Sequence, residues 1–170
     1  MLAATSDPAS FGLLILRAGL GLFLAYHGYN KVFGGNGLSG TSSWFASIGM
    51  KWPRLQARLA ASTEIGCGLL LATGFMTPLA AAGVLGVMIV AIVVAHARVG
   101  FFVFLPDQGW EYCATIALGA VAIGSTGPGR WSVDSVCDIR FDGWSGLLIT
   151  AVLGVSAAAL QLLTSYRPSK

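Results

Sequence analysis

The segment from Phe11 to Phe33 constrains this chain more than any other. Apolar residues fill Phe11 to Tyr26 almost without a break, and His27, Asn30 and Lys31 arrive before the run has ended. His27 and Lys31 are four apart, so on a helix they share one face. Arg17, inside the same run, falls within roughly 80° of both at about 100° per residue. A helix that reads as lipid-buried therefore carries a polar stripe. Ionisable groups in such a place are costly and usually face a bundle interior or a water-filled cavity.

Composition extends this reading to the whole chain. Of 170 residues, 55% are hydrophobic and 10% charged, and the mean hydropathy is +0.76. A soluble domain usually carries about 25% charged residues, so the chain reads as an integral membrane protein. The net charge of +3 comes from charges too few and too scattered for nucleic-acid binding. Cys67, Cys113 and Cys137 form no C-x-x-C and read as small packing residues. The first ten residues carry Asp7 and no lysine or arginine, which is not a signal-peptide pattern, so the first apolar segment is expected to be retained.

Taken in order, the chain predicts a first helix from Asp7-Pro8 or Ser10 to about Phe33, ended by Gly34-Gly35-Asn36-Gly37. A short interfacial helix follows from Thr41, its expected N-cap, to Met50. Trp44, Phe45 and Ile48 fall on one side of it. Helix two runs from about Arg54 to Phe75 with Glu64 inside, and helix three from Thr77-Pro78 to about Arg98 with His96 in its last turn. Gly100 to Leu105 reads as an aromatic hinge, and helix four runs from Trp110 to about Ser125. The polar stretch from Arg130 to Asp142 is expected outside the membrane, and helix five runs from Gly143 to about Leu163. Small residues such as Gly21 with Ala25 and Ala82 with Gly86 suit close helix approach in lipid. The expected fold is all-α: a polytopic membrane bundle of four helices plus a fifth, divided as residues 1–134 and 135–170.

Seven of the ten basic residues, namely Lys31, Lys51, Arg54, Arg58, Arg98, Arg167 and Lys170, fall at one end of these helices. The positive-inside rule places that end in the cytoplasm of a plasma (inner) membrane protein, with the N-terminus outside. His27, Asn30, Lys31, His96 and Glu111 lie near the basic end, with Glu64 about 14 Å deep at 1.5 Å per residue. A carboxylate at that depth needs a partner, and Arg17 is the expected one. Arg17, His27, Asn30, Lys31, Glu64, His96 and Glu111 thus form the candidate polar cluster. The aromatics Trp44, Phe101, Phe102, Trp110 and Tyr112 could wall a flat ring ligand or form an aromatic belt. His27, His96 and Glu111 have no metal-ligand spacing such as H-x-x-x-H, and no metal is expected. No pattern marks a catalytic residue.

The order of motifs resembles the DoxX family. Leu16-Arg17-Ala18-Gly19-Leu20-Gly21-Leu22-Phe23, His27-Gly28-Tyr29-Asn30-Lys31 and Gly40-Thr41 with Trp44-Phe45 and Gly49 resemble its opening. Glu64-Ile65-Gly66-Cys67-Gly68 before Gly74 and Thr77 resembles its second segment. Gly100-Phe101-Phe102, Gly109-Trp110-Glu111-Tyr112 and Gly127-Pro128-Gly129-Arg130 with Ser132 and Asp134 resemble its end. The resemblance covers about Leu13 to Asp134. It implies a four-helix membrane bundle whose relatives include the membrane subunit of a thiosulfate:quinone oxidoreductase, and a bias towards quinone-linked, sulfur or oxidative-stress chemistry. The polar loop from Val133 and helix five depart from that pattern.

Three functions follow as expectations. The first is a redox-associated protein that binds a quinone-like lipid among helices one to four, a quinone being the only cofactor class suggested. There His27, Lys31, Glu64 and Glu111 would handle protons or hold carbonyls, and Arg17 would hold Glu64. The second is a non-catalytic scaffold for soluble redox enzymes, consistent with the lack of a C-x-x-C, flavin or haem signature. The third is a pathway for a small solute or protons. The expected partners are the bilayer and soluble redox enzymes, with oligomers left open.

Overall fold

The apolar runs become helices because lipid offers no hydrogen bonds, so a segment there must satisfy its backbone internally. The computed structural model describes residues 7–168, and every regular element among them is helical. Helix α1 is Asp7–Phe33, α2 Gly37–Ser47 and α3 Pro53–Thr73. Helix α4, Thr77–Ala91, continues as a π-helical turn over Ile92–His96. Helix α5 is Glu111–Thr126, α6 a single turn over Val133–Val136, and α7 Gly143–Ser165.

Helix α1 packs against α3, α3 against α4 and α4 against α5, and α7 packs against α4 and α5. The backbones of α1 and α3 touch along their seam. A Cβ on Gly21 would stand 2.4 Å from the Gly68 carbonyl oxygen, and one on Gly68 would stand 2.5 Å from that of Gly21. Two backbones in contact leave no room for any side chain there. Gly21→Leu is therefore expected to cost about 3 kcal/mol of stability through overpacking. Thermal unfolding in detergent checks this, and an unchanged transition would show that the seam is not close-packed. Gly154 serves likewise on α7, where a Cβ would meet the Ala82 carbonyl oxygen at 2.9 Å. The small-residue positions read from the sequence thus lie at helix contacts.

Three helices among the described residues are long and apolar enough to cross a membrane: α1, α4 with its π turn (Thr77–His96), and α7. Helix α3 has 21 residues but carries Arg54, Arg58 and Glu64, and α5 has only 16. A straight span needs about 20 residues. The expected helices follow one another in the expected order, but among the described residues only three combine length with apolarity, against the four spans plus one expected.

The interfacial helix differs in its start. It begins at Gly37, four residues before Thr41, so Thr41 is no N-cap. Its hydroxyl instead donates to the carbonyls of Lys31 and Gly37, tying α2 to the end of α1. The C-terminal segment is held to the α2–α3 connection by two backbone bonds. Lys51 N–H donates to Ser165 O (2.7 Å) and Arg167 N–H to Gly49 O (2.8 Å).

Candidate functional site

Helical side chains tilt towards the N-terminus of their own helix. In the antiparallel α1–α3 pair this decides which polar groups meet. Gly28 packs on Ala61, Glu64 and Ile65, and Gly21 on Gly68 and Ala72. Lys31, one turn beyond Gly28, leans back into the bundle, while Glu64 leans outward towards the basic end. They meet as a two-pronged ion pair, Lys31 Nζ standing 2.8 and 2.7 Å from the two carboxylate oxygens of Glu64. Glu64 is 5% exposed.

Arg17 leans the other way, so the expected Arg17–Glu64 pair does not form. At 1.5 Å per residue, the α3 backbone that receives Arg17 lies about 12 Å beyond Glu64. The guanidinium donates to the carbonyls of Ala72 at the end of α3 and of Pro128 and Trp131 in the following loop. Gly74 beside it adopts φ +66°, and a Cβ there would stand 3.0 Å from Arg17 Cζ. At this same end Asp134 is buried and accepts from the backbone N–H groups of Met76 (2.7 Å) and Thr77 (2.9 Å) and from the Thr77 hydroxyl (2.6 Å). A carboxylate thus closes the N-terminus of α4, where the helix dipole favours it. The polar loop carrying Asp134 therefore has a packing task within this chain.

At the basic end the Lys31–Glu64 pair borders a cavity of about 290 Å³. Leu24, Met88 and Ile116 line its apolar floor, and Lys31, Glu64 and Tyr112 stand among its polar groups. His27 lines it as well, with Nε2 3.5 Å from the Tyr112 hydroxyl, too far for a strong bond. His96 ends the π turn, and its Nδ1 lies 2.6 Å from the Gln108 carbonyl oxygen. A carbonyl can only accept, so Nδ1 carries the proton. This bond draws the 97–110 loop over the cavity, where Val103, Gln108 and Gly109 join the lining. The π turn widens the helix where it meets that loop. Such turns recur at functional sites.

Of the candidate polar cluster, the structure brings His27, Lys31, Glu64 and His96 to one cavity, and of the candidate aromatics Trp44 and Tyr112. The others fall outside it. Arg17 serves the opposite end. Asn30 precedes Lys31 by one residue, and that 100° rotation leaves it exposed. Glu111 turns to the loop, where a carboxylate oxygen accepts from Val103 N–H at 3.1 Å. Phe101 packs edge-on against Phe102 and Trp110, so these three shape the loop and not the cavity.

The cavity also takes in Phe45, Thr63, Cys113 and Gln161. Gln161 carried the same signal as His27, a polar residue inside an apolar run. Cys113 carried none, since its place depends on helix rotation. All three cysteines are unpaired. Among the described residues no group of three or more histidine, cysteine or acidic side chains could hold a metal.

Residues 12–97, just over half of the chain, match the DoxX family model. That match spans α1 to the π turn and ends before α5 and α7, whereas the motif resemblance ran on to Asp134. No curated protein and no solved structure matches the chain. With helices long and apolar enough to cross a bilayer and a family match over more than half its length, this chain is a membrane protein and belongs to the DoxX family.

Proposed function

We propose that this protein is a redox-associated protein of the plasma membrane that binds a quinone-like lipid in the cavity at its basic end. The observation that carries the reading is the ion pair of Lys31 and Glu64 at the edge of a cavity with an apolar floor. An ammonium has three donors, and Glu64 occupies two of those of Lys31. The third is available to a carbonyl oxygen in the cavity. Tyr112 and His27, which line the same cavity, supply a hydroxyl and an imidazole that can take up or release a proton. Apolar floors with a few convergent polar groups are the usual form of ligand sites.

In this reading α1, α3, α4, α5 and α7 all traverse the bilayer, the short and charged ones sheltered by their neighbours. Lys51, Arg54, Arg58 and Arg98 crowd the cavity end, and by the positive-inside rule they support a cytoplasmic position for it. Exposed Tyr26, Tyr29, Trp44 and Trp52 mark the headgroup level there.

The test is made on protein extracted in its native lipid, with quinone measured by mass spectrometry and the response to added quinol recorded. Quinone at one per protein is expected. Glu64→Gln and His27→Ala should each abolish its binding and leave a folded bundle. Normal binding by both variants, or an extract free of quinone with no redox response, would rule the reading out.

A further inference from the structure

Helix α7 lies outside the family match, yet it contributes a polar side chain to the cavity. Gln161 is on its last two turns, and its Nε2 donates to Gln56 Oε1 of α3 at 2.7 Å. Gln56 is 2% exposed. Around this amide pair the packing is apolar, built by Phe45, Ala57, Val90, Val94 and Ala158. A glutamine in an otherwise apolar membrane helix is costly unless partnered.

The pair satisfies only part of Gln161. An amide offers two N–H donors and an oxygen acceptor. Among the described residues no other hydrogen bond to the Gln161 side chain is present, and the residue lines the cavity. Its place is secured one turn later, where Ser165 and Arg167 bind the backbone of Lys51 and Gly49.

Gln56 precedes Glu64 by eight residues on α3, about 12 Å along the axis at 1.5 Å per residue. The cavity therefore has two polar poles. One is ionic, Lys31–Glu64, and the other is a neutral amide set in apolar surroundings. We propose that Gln161 is a specificity-determining residue of this cavity. Its amide holds a neutral hydrogen-bonding group, such as a carbonyl, hydroxyl or ether, on an elongated amphiphile whose other polar group meets Lys31. This rests on the proposed function only in treating the cavity as a ligand site. It does not require a quinone.

The experiment is native mass spectrometry of the full-length protein in native-lipid nanodiscs, reading the mass and occupancy of retained small molecules. Gln161→Leu alone strands Gln56, so the decisive variant is Gln56→Leu with Gln161→Leu. Replacing both partners by apolar groups of similar size is nearly neutral for folding. Melting curves confirm that the bundle persists. The expected result is a molecule of defined mass on the wild type, reduced at least tenfold on the double variant. Leu160→Ala, on the exposed face of α7, should retain it fully. If the molecule is not a quinone and the double variant loses it, the quinone reading fails and the role of Gln161 stands. A double variant that keeps the molecule at wild-type occupancy overturns the role of Gln161, whatever the molecule is. A wild type that retains nothing overturns both.

Discussion

Arg17→Leu should lower the melting temperature by about 10 °C. Arg17 is 1% exposed, and its guanidinium holds carbonyls from the end of α3 and from two points in the 128–131 stretch. Leucine fills much of the volume but donates nothing. Each buried acceptor left unpaired costs about 1–3 kcal/mol. Water reaching the loop would relieve part of this, so about 4 kcal/mol is a reasonable total on those per-group values. For a chain of this size each kcal/mol moves the transition by about 2–4 °C.

Arg17→Lys should recover only part of the loss, because one ammonium cannot reproduce a planar fork aimed at three carbonyls. Because Arg17 lies at the end opposite the cavity, ligand occupancy of the folded fraction should stay at the wild-type level. A variant that melts with the wild type would show that these carbonyls find other donors, and Arg17 would lose its role as a clasp.

The second large effect is an asymmetry within the ion pair. Lys31→Met leaves the carboxylate of Glu64 enclosed without its ammonium. Removing one partner of a buried pair typically costs about 3–5 kcal/mol. Glu64→Leu should cost less, because Lys31 is a quarter exposed on its side chain and its flexible stem can carry the ammonium to the interface. The double replacement, Lys31→Met with Glu64→Leu, should return close to wild-type stability, since apolar substitutes often match a buried ion pair. Ligand occupancy should be lost in all three. Thermal unfolding alongside occupancy separates the two quantities. Equal losses from both single replacements, with no recovery in the double, would mean that the two residues act independently.

The site was legible in proportion to how far it depended on local pattern. His27 and Lys31 share a face at spacing four, and both reach the cavity. Glu64, the only acid within its helix, could be recognised as needing a cation. Its choice of Lys31 over Arg17 could not be read from depth along the helices, because depth ignores the tilt of side chains. In an antiparallel pair each side chain leans towards its own N-terminus, which brings Lys31 to Glu64 and carries Arg17 away from it. Asn30 and Glu111 sit at the right level and point elsewhere. Phe101, Phe102 and Trp110 sit in the right loop and pack on one another.

The chain's apolar runs, their breaks at Gly34–Gly37 and Thr77-Pro78, and its scarcity of charge were enough to determine an all-helical membrane protein. The glycine and alanine positions marked where helices could touch, because only small residues permit that approach. Rotation, tilt and partner choice belonged to the tertiary structure. They placed Gln161 of α7 beside Gln56 of α3, and Asp134 of a polar loop at the start of α4. Such pairs join residues 57 to 105 positions apart. No local pattern specifies them, because the close packing of backbones at Gly21–Gly68 and Ala82–Gly154 sets which side chains are left facing one another.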